Sequence, residues 1–179
     1  RDGTPNGYHV LEVDSTDVSV RFKAAGKPAD FQMRIMYDVM HHQQRKDAIR
    51  DSLHGTTLDG FMSEDEVAAA SILVNLFDGG PKSKVSYRVN DGNYVPMERV
   101  LRTDPYIVEQ FQRYESVKKS WVQATDSTHI FSADLDDSIS RGTHTVTVRA
   151  IDEFGRVHHG HSILEITGGM RGTEAAVKY

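Results

Sequence analysis

Lys84-Val85-Ser86-Tyr87-Arg88-Val89, Asn90-Asp91-Gly92-Asn93 and Tyr94-Val95-Pro96-Met97 decide the fold class. In the first run Val85, Tyr87 and Val89 alternate with Ser86 and Arg88, the period-two pattern of a strand with one dry and one wet face. Asn-Asp-Gly-Asn then predicts a tight turn, with Asp-Gly supplying the positive φ angles that a hairpin asks for. The third run returns as the partner strand. Pro96 has no amide to donate, so it belongs at an edge or a strand end.

The same rhythm extends in both directions. Toward the C-terminus it recurs in His129-Ile130-Phe131-Ser132-Ala133-Asp134-Leu135, in Thr145 to Ala150 after Gly142, and in Val157 to Ile166 beyond a Phe154-Gly155 turn. Toward the N-terminus, Ser71-Ile72-Leu73-Val74-Asn75-Leu76-Phe77 is rich in strand formers and ends at Asp78-Gly79-Gly80-Pro81. Tyr8 to Val13 and Val18 to Phe22, linked by Asp14-Ser15-Thr16-Asp17, read as a hairpin whose second strand is half-buried, and Phe31 to Tyr37 follows as a third strand. Two short helices interrupt the strands. Ser63 caps Glu64-Asp65-Glu66, and Asp104-Pro105 opens a helix to about Ser116 with Ile107, Val108, Phe111 and Tyr114 on one face. Seven to nine short strands with frequent turns predict a mainly β domain, an antiparallel β-sandwich of the immunoglobulin-like kind, over residues 1–167. Within it, 1–37 form a hairpin and strand extension and 39–65 a polar insertion. Residues 168–179 read as a flexible tail.

Composition bounds the function. The 179 residues contain no cysteine, which removes thiolate catalysis, Cys-ligated zinc and disulfide scaffolds. Twenty-one basic against 26 acidic residues give a net charge of −5, so no broad cationic face is expected and nucleic acid is excluded as a partner class. No apolar run approaches the length of a membrane span. Arg1 in place of Met suggests a piece of a longer or processed chain.

Several stretches invite chemistry. His159 and His161 share one face of a strand, with His158 on the other, and are the candidate metal ligands among nine histidines. Two imidazoles alone make a weak site, and both are expected to face solvent. His41-His42 sits in the polar insertion. Asp134, Asp136 and Asp137 resemble a calcium loop, but Ile139 stands where a glycine is required. Gly79-Gly80-Pro81-Lys82-Ser83 resembles a phosphate loop, but Pro81 removes an amide donor. Trp121, flanked by Lys118 and Lys119, could stack on a sugar or base; an anchor into the core is the simpler reading of it. None of these constellations specifies catalysis.

Two stretches resemble a known family. Asp2-Gly3-Thr4-Pro5-Asn6-Gly7-Tyr8 with Lys23 to Ile35, and Gly142-Thr143-His144 through Asp152-Glu153-Phe154-Gly155-Arg156, resemble the C-terminal domain of bacterial calcineurin-like metallophosphoesterases. Lys119-Ser120-Trp121-Val122 and Ser127-Thr128-His129 are similar as well. The resemblance implies an accessory domain behind a catalytic domain that holds two divalent metals through Asp-x-His, Gly-Asp-x-x-Asp, Gly-Asn-His-Asp/Glu and Gly-His-x-His motifs. None of these occurs here; Ile163 stands where Gly160-His161 would need its second histidine. It thus implies no catalytic residue and no cofactor in this chain, an exported parent enzyme (periplasmic or extracellular), and the phosphoesterase domain of the same chain as partner. A homodimer is a further possibility. The first stretch, Asp2, Gly3, Thr4, Pro5, Asn6, Gly7 and Tyr8, is the expected interdomain contact: an exposed arm when alone, on a fixed path when joined. An independent β-sandwich binding module for carbohydrate or a cell-envelope component is the alternative. A small metal-dependent hydrolase built on the histidines is a third reading.

Overall fold

The computed structural model describes residues 1–39 and 60–168. Ten strands and two short helices follow in the order β1 (Gly7–Asp14), β2 (Asp17–Ala24), β3 (Met33–Asp38), β4 (Phe61–Ser63), α1 (Glu64–Val67), β5 (Ser71–Leu76), β6 (Lys84–Val89), β7 (Val95–Thr103), α2 (Pro105–Arg113), β8 (Asp126–Asp134), β9 (Gly142–Ile151) and β10 (Val157–Thr167). Among the described residues β1 and β2 pair only with each other; the other eight form one curled sheet in the order β3-β5-β8-β7-β6-β9-β10-β4. The predicted mainly antiparallel β-sandwich is the observed architecture.

β7 makes the two layers continuous. Its first residues pair with β6, Tyr87 facing Val95 and Val85 facing Met97; from Glu98 onward it pairs with β8, with an irregularity between Val100 and Arg102. Pro96 lies in the part bonded to β6 alone, so its missing amide breaks no ladder on the β8 side. At the opposite side the layers close by packing. Gly160 of β10 has no side chain, and a Cβ there would come within 2.7 Å of Met33 Sδ on β3.

β5 lies at the centre of one layer, and all six of its residues are buried. Ile72, Val74 and Leu76 join the main core with Tyr37, Phe131 and Val148. Leu73 points the other way, into a small cluster with Met36 and Ile130 that Val100 and Tyr106 cover. Burial on both faces explains why this run is continuously apolar instead of alternating.

Local readings differ from the structure where side chains bond outside their own element. The β6–β7 connection is longer than a tight turn, running from Asn90 to Tyr94, and its positive φ falls on Asn90 (51°) instead of Gly92. Asn90 is committed to β9: its amide donates to the Thr145 carbonyl (2.7 Å) and its Oδ1 accepts from the Thr145 amide (3.0 Å). That pair holds the left-handed conformation, which Asn tolerates. β7 runs on past Met97 to Thr103, and β4 adds a parallel pairing to β10 that the polar surroundings of Phe61 conceal. α2 starts on Asp104 and Pro105 as predicted but stops at Arg113, short of Ser116. Trp121 is not a core anchor. It is 67% exposed, with the Lys119 ammonium 5.8 Å above its ring. Of the polar insertion, 40–59 lie outside the described residues, as do His41-His42 and 169–179 of the tail.

Candidate functional site

The first six residues are built into the domain. Gly3 is buried at φ 87°, and a Cβ on it would land 2.0 Å from the Asp104 carboxylate. Only glycine meets both demands. Arg34 on β3 donates to the Gly3 carbonyl (2.8 Å) and to Asp104 Oδ2 (3.2 Å). Asn75 on β5 donates to the same Oδ2 (2.6 Å) and to the Asp2 carbonyl (3.3 Å). Asp104 Oδ1 meanwhile accepts from the Tyr106 amide (2.8 Å) as the N-cap of α2. One fully buried carboxylate thus ties the helix start, β3, β5 and the N-terminal segment together. The Arg34 guanidinium sits 3.7 Å from the Tyr106 ring centroid and 5.5 Å from that of Phe77. Burial lowers its pKa, with Asp104 acting in the opposite sense.

His129 on β8 fastens the same segment. Its Nε2 lies 3.6 Å from Asp2 Oδ2, and its Nδ1 faces Thr4 Oγ1 (3.4 Å) and Ser127 Oγ (3.2 Å). Serine, histidine and aspartate are the residue types of a hydrolase triad. Ser127 is buried, however, and its oxygen accepts the His129 amide (3.2 Å), so the group is a tether. The Thr125 amide binds the Arg1 carbonyl (3.2 Å) and the Ala25 amide the Asn6 carbonyl (2.8 Å). The segment expected to be an exposed arm is therefore fixed, because buried polar partners hold its backbone. Asn6, Gly7 and Tyr8 remain exposed.

Beside this tether the β1–β2 hairpin begins. Its register sets His9 opposite Phe22, Leu11 opposite Val20 and Val13 opposite Val18, so these six side chains share one face. At the root Phe22 is buried edge-on against Phe77 (ring centroids 5.9 Å), and Phe77 in turn meets Phe31 (5.2 Å). Toward the tip Leu11 is 61%, Val13 63% and Val18 53% exposed. β2 is half-buried or buried from Ser19 to Ala24, and only Asp17 and Val18 at its tip end are exposed.

Under the root lies a cleft of about 320 Å³, bounded by Val20 and Phe22, by Phe77 to Gly80, by His129 and by the β9–β10 turn. Asp152 organises that turn. Its Oδ1 accepts the Phe154 and Arg156 amides (both 2.9 Å); its Oδ2 accepts Arg156 Nε (2.6 Å) and faces His158 Nε2 (3.2 Å). Burial alone would raise the Asp152 pKa, but these bonds from Arg156, His158 and Phe154 prevail and hold the carboxyl below its ordinary value. Arg156 Nη2 also donates to the Val20 carbonyl, clamping the turn to the hairpin, and His9 Nε2 reaches Asp78 Oδ1 (3.2 Å).

The two weak metal candidates lie elsewhere on β10. His159 and His161 are exposed, and His161 Nδ1 meets only Thr147 Oγ1 (3.4 Å). Among the described residues no three histidine, aspartate or glutamate side chains gather as a metal site would need, so these residues do not fit a two-metal phosphoesterase centre.

The family model for the C terminal of calcineurin-like phosphoesterases matches residues 1–158. The chain belongs to that family. No curated protein and no solved structure matched it. The match takes in the tethered segment, the hairpin and the Asp152–Arg156 turn. In this calcineurin-like phosphoesterase C-terminal domain, sequence reasoning had singled out Asp2 to Tyr8 but missed their anchors Arg34, Asn75, Asp104 and His129. Asp104 carries a signal as a helix N-cap, and Arg34 and His129 lie in stretches that resemble the family, but nothing in the sequence joins any of them to Asp2 to Tyr8.

Proposed function

We propose that this domain is the non-catalytic accessory part of an exported calcineurin-like phosphoesterase, and that it packs on and orients the catalytic domain of the same chain. The family membership supplies the partner. The orienting role rests on the buried Arg34–Asp104–Asn75 bracket around Gly3. A chain used only as a tether needs no fixed path, whereas the backbone of residues 1–6 is held on one by Arg34, Asn75, Thr125 and Ala25. The two divalent metals of such an enzyme, with the in-line displacement they promote, belong to the catalytic domain.

Purified residues 1–179 and the full-length protein, each assayed with manganese on a phosphodiester and a phosphomonoester, test the first part. Turnover by the full-length protein alone is expected. Metal-dependent turnover by residues 1–179 that survives repurification would overturn it. Small-angle scattering of the full-length protein tests the second part: a narrow distribution of domain separations is expected, and a broad one would reduce the domain to a passenger.

A carbohydrate-binding module is the second reading, favoured by the exposed Trp121 ring beside Lys119. Glycan-array binding abolished by Trp121→Ala would promote it.

A further inference from the structure

We infer that the apolar face of the β1–β2 hairpin, together with the cleft beneath its root, is the seat of the phosphoesterase domain; this rests on the accessory-domain reading above. Leu11, Val13 and Val18 form an apolar strip that continues through Val20 into the cleft and ends on buried Phe22. Phe154, 48% exposed, stands on the cleft's far rim. A two-stranded ribbon is at best marginal by itself in water, and an apolar ribbon whose edges pair with no further strand among the described residues invites association. A soluble protein needs this face covered.

Geometry and charge both choose the occupant. His129 lines the cleft and also holds Asp2 and Thr4, so the segment through which an upstream domain would join is fastened one side chain behind the cleft wall. A domain attached there reaches the strip without crossing the sandwich. Asp78, which His9 meets at 3.2 Å, and Glu153, which accepts the Lys82 amide at 3.3 Å, sit at the cleft with no lysine or arginine side chain among the described residues bonded to them, while Arg156 is committed to Asp152 and to the Val20 carbonyl. The seat is therefore an apolar strip ending among carboxylates. It fits an apolar protrusion flanked by lysine or arginine on the phosphoesterase domain.

The test uses the full-length protein and its Val13→Glu/Val18→Glu variant. Both substituted positions are exposed, so the sandwich should be untouched, and unchanged hydrogen-exchange protection of β5 and β9 verifies this. Scattering gives the domain separations, light scattering the mass, and hydrogen exchange the protection of residues 8–23. In the wild type, a compact monomer with protected hairpin amides is expected. In the variant, the separations should broaden and hairpin protection should fall at least tenfold, with the mass unchanged. A variant as compact as the wild type would place the seat elsewhere and leave the accessory-domain reading standing. A wild-type dimer that the variant splits, with separations unaltered, would make a second copy the occupant and refute the inference. Independently tumbling domains in the wild type would sink the fixed pose and this seat together.

Discussion

The first 24 residues contain two stretches whose burial is the reverse of what their composition suggests. Asp2-Gly3-Thr4-Pro5-Asn6 has no apolar side chain except the proline ring, yet it is bonded into the fold, with Gly3 fully enclosed. Leu11, Val13 and Val18 alternate as core strands do, yet they are bare. Polar partners explain the first: Arg34, Asn75 and His129 replace the water that the backbone carbonyls and Asp2 would otherwise keep. The missing second layer explains the other. Burial is decided by what lies opposite, and a strand pattern states only which side would be dry if something did.

The largest expected effect breaks the enclosed half of that contrast. Asp104→Ala leaves the Arg34 guanidinium, the Asn75 amide and the Tyr106 amide without their common acceptor. Removing one partner of a buried ion pair costs about 3–5 kcal/mol. Denaturant unfolding should register that loss, and limited proteolysis should reveal a loosened N-terminal segment. Gly3→Ala tests the same bracket from the N-terminal segment's side of the contact. The positive φ and the clash with Asp104 should cost roughly 1–3 kcal/mol. A loss below 0.5 kcal/mol would mean the segment can leave its place at little cost.

The hairpin root gives a smaller, pH-dependent effect. The Asp152 carboxyl is held below its ordinary value, so its contribution to stability is fully present above the unfolded carboxylate pKa, about 3.9. It is lost as pH falls through the lower folded value. Asp152→Asn should therefore be less stable than wild type by about 1 kcal/mol at neutral pH. The gap should close as pH drops below about 4, and stability curves from pH 7 to pH 2 check the sign. The smallest effect is at the tip. Val18→Thr keeps the β-branch at an exposed site and should change stability by less than about 0.5 kcal/mol. A larger loss would mean the bare face is already packed against something.

Strand identity was legible wherever neighbours in sequence decide it. Lys84 to Val89 and Thr145 to Ala150 lie where alternation places them, and Asp104-Pro105 marks a helix start by local chemistry alone. Long-range pairing was not legible. Nothing near Phe61 announces a parallel contact with Glu165, 104 residues away in sequence, and nothing near Met97 says that its strand will continue into the other layer. The candidate site was half legible. Asp2 to Tyr8 stood out, but Arg34 and Asn75 looked like ordinary polar positions of strands, because the carboxylate that makes them special is distant in sequence. Trp121 misled for a related reason. A large aromatic side chain reads as an anchor, but Trp121 lies in a turn beyond the end of α2 and is exposed.

The hairpin has a mechanical consequence. Among the described residues the ribbon is held by Phe22 on Phe77, by His9 on Asp78 and, midway, by Arg156 on the Val20 carbonyl opposite Leu11, and the three residues of extended chain beyond that point reach about 10 Å. A beam clamped at one end multiplies angle into distance: a tilt of about 10° at the Val20 clamp sweeps the tip by roughly 2 Å at that length. The amplitude of that swing is governed by the stiffness of the Asp152 turn, which holds Arg156 in place.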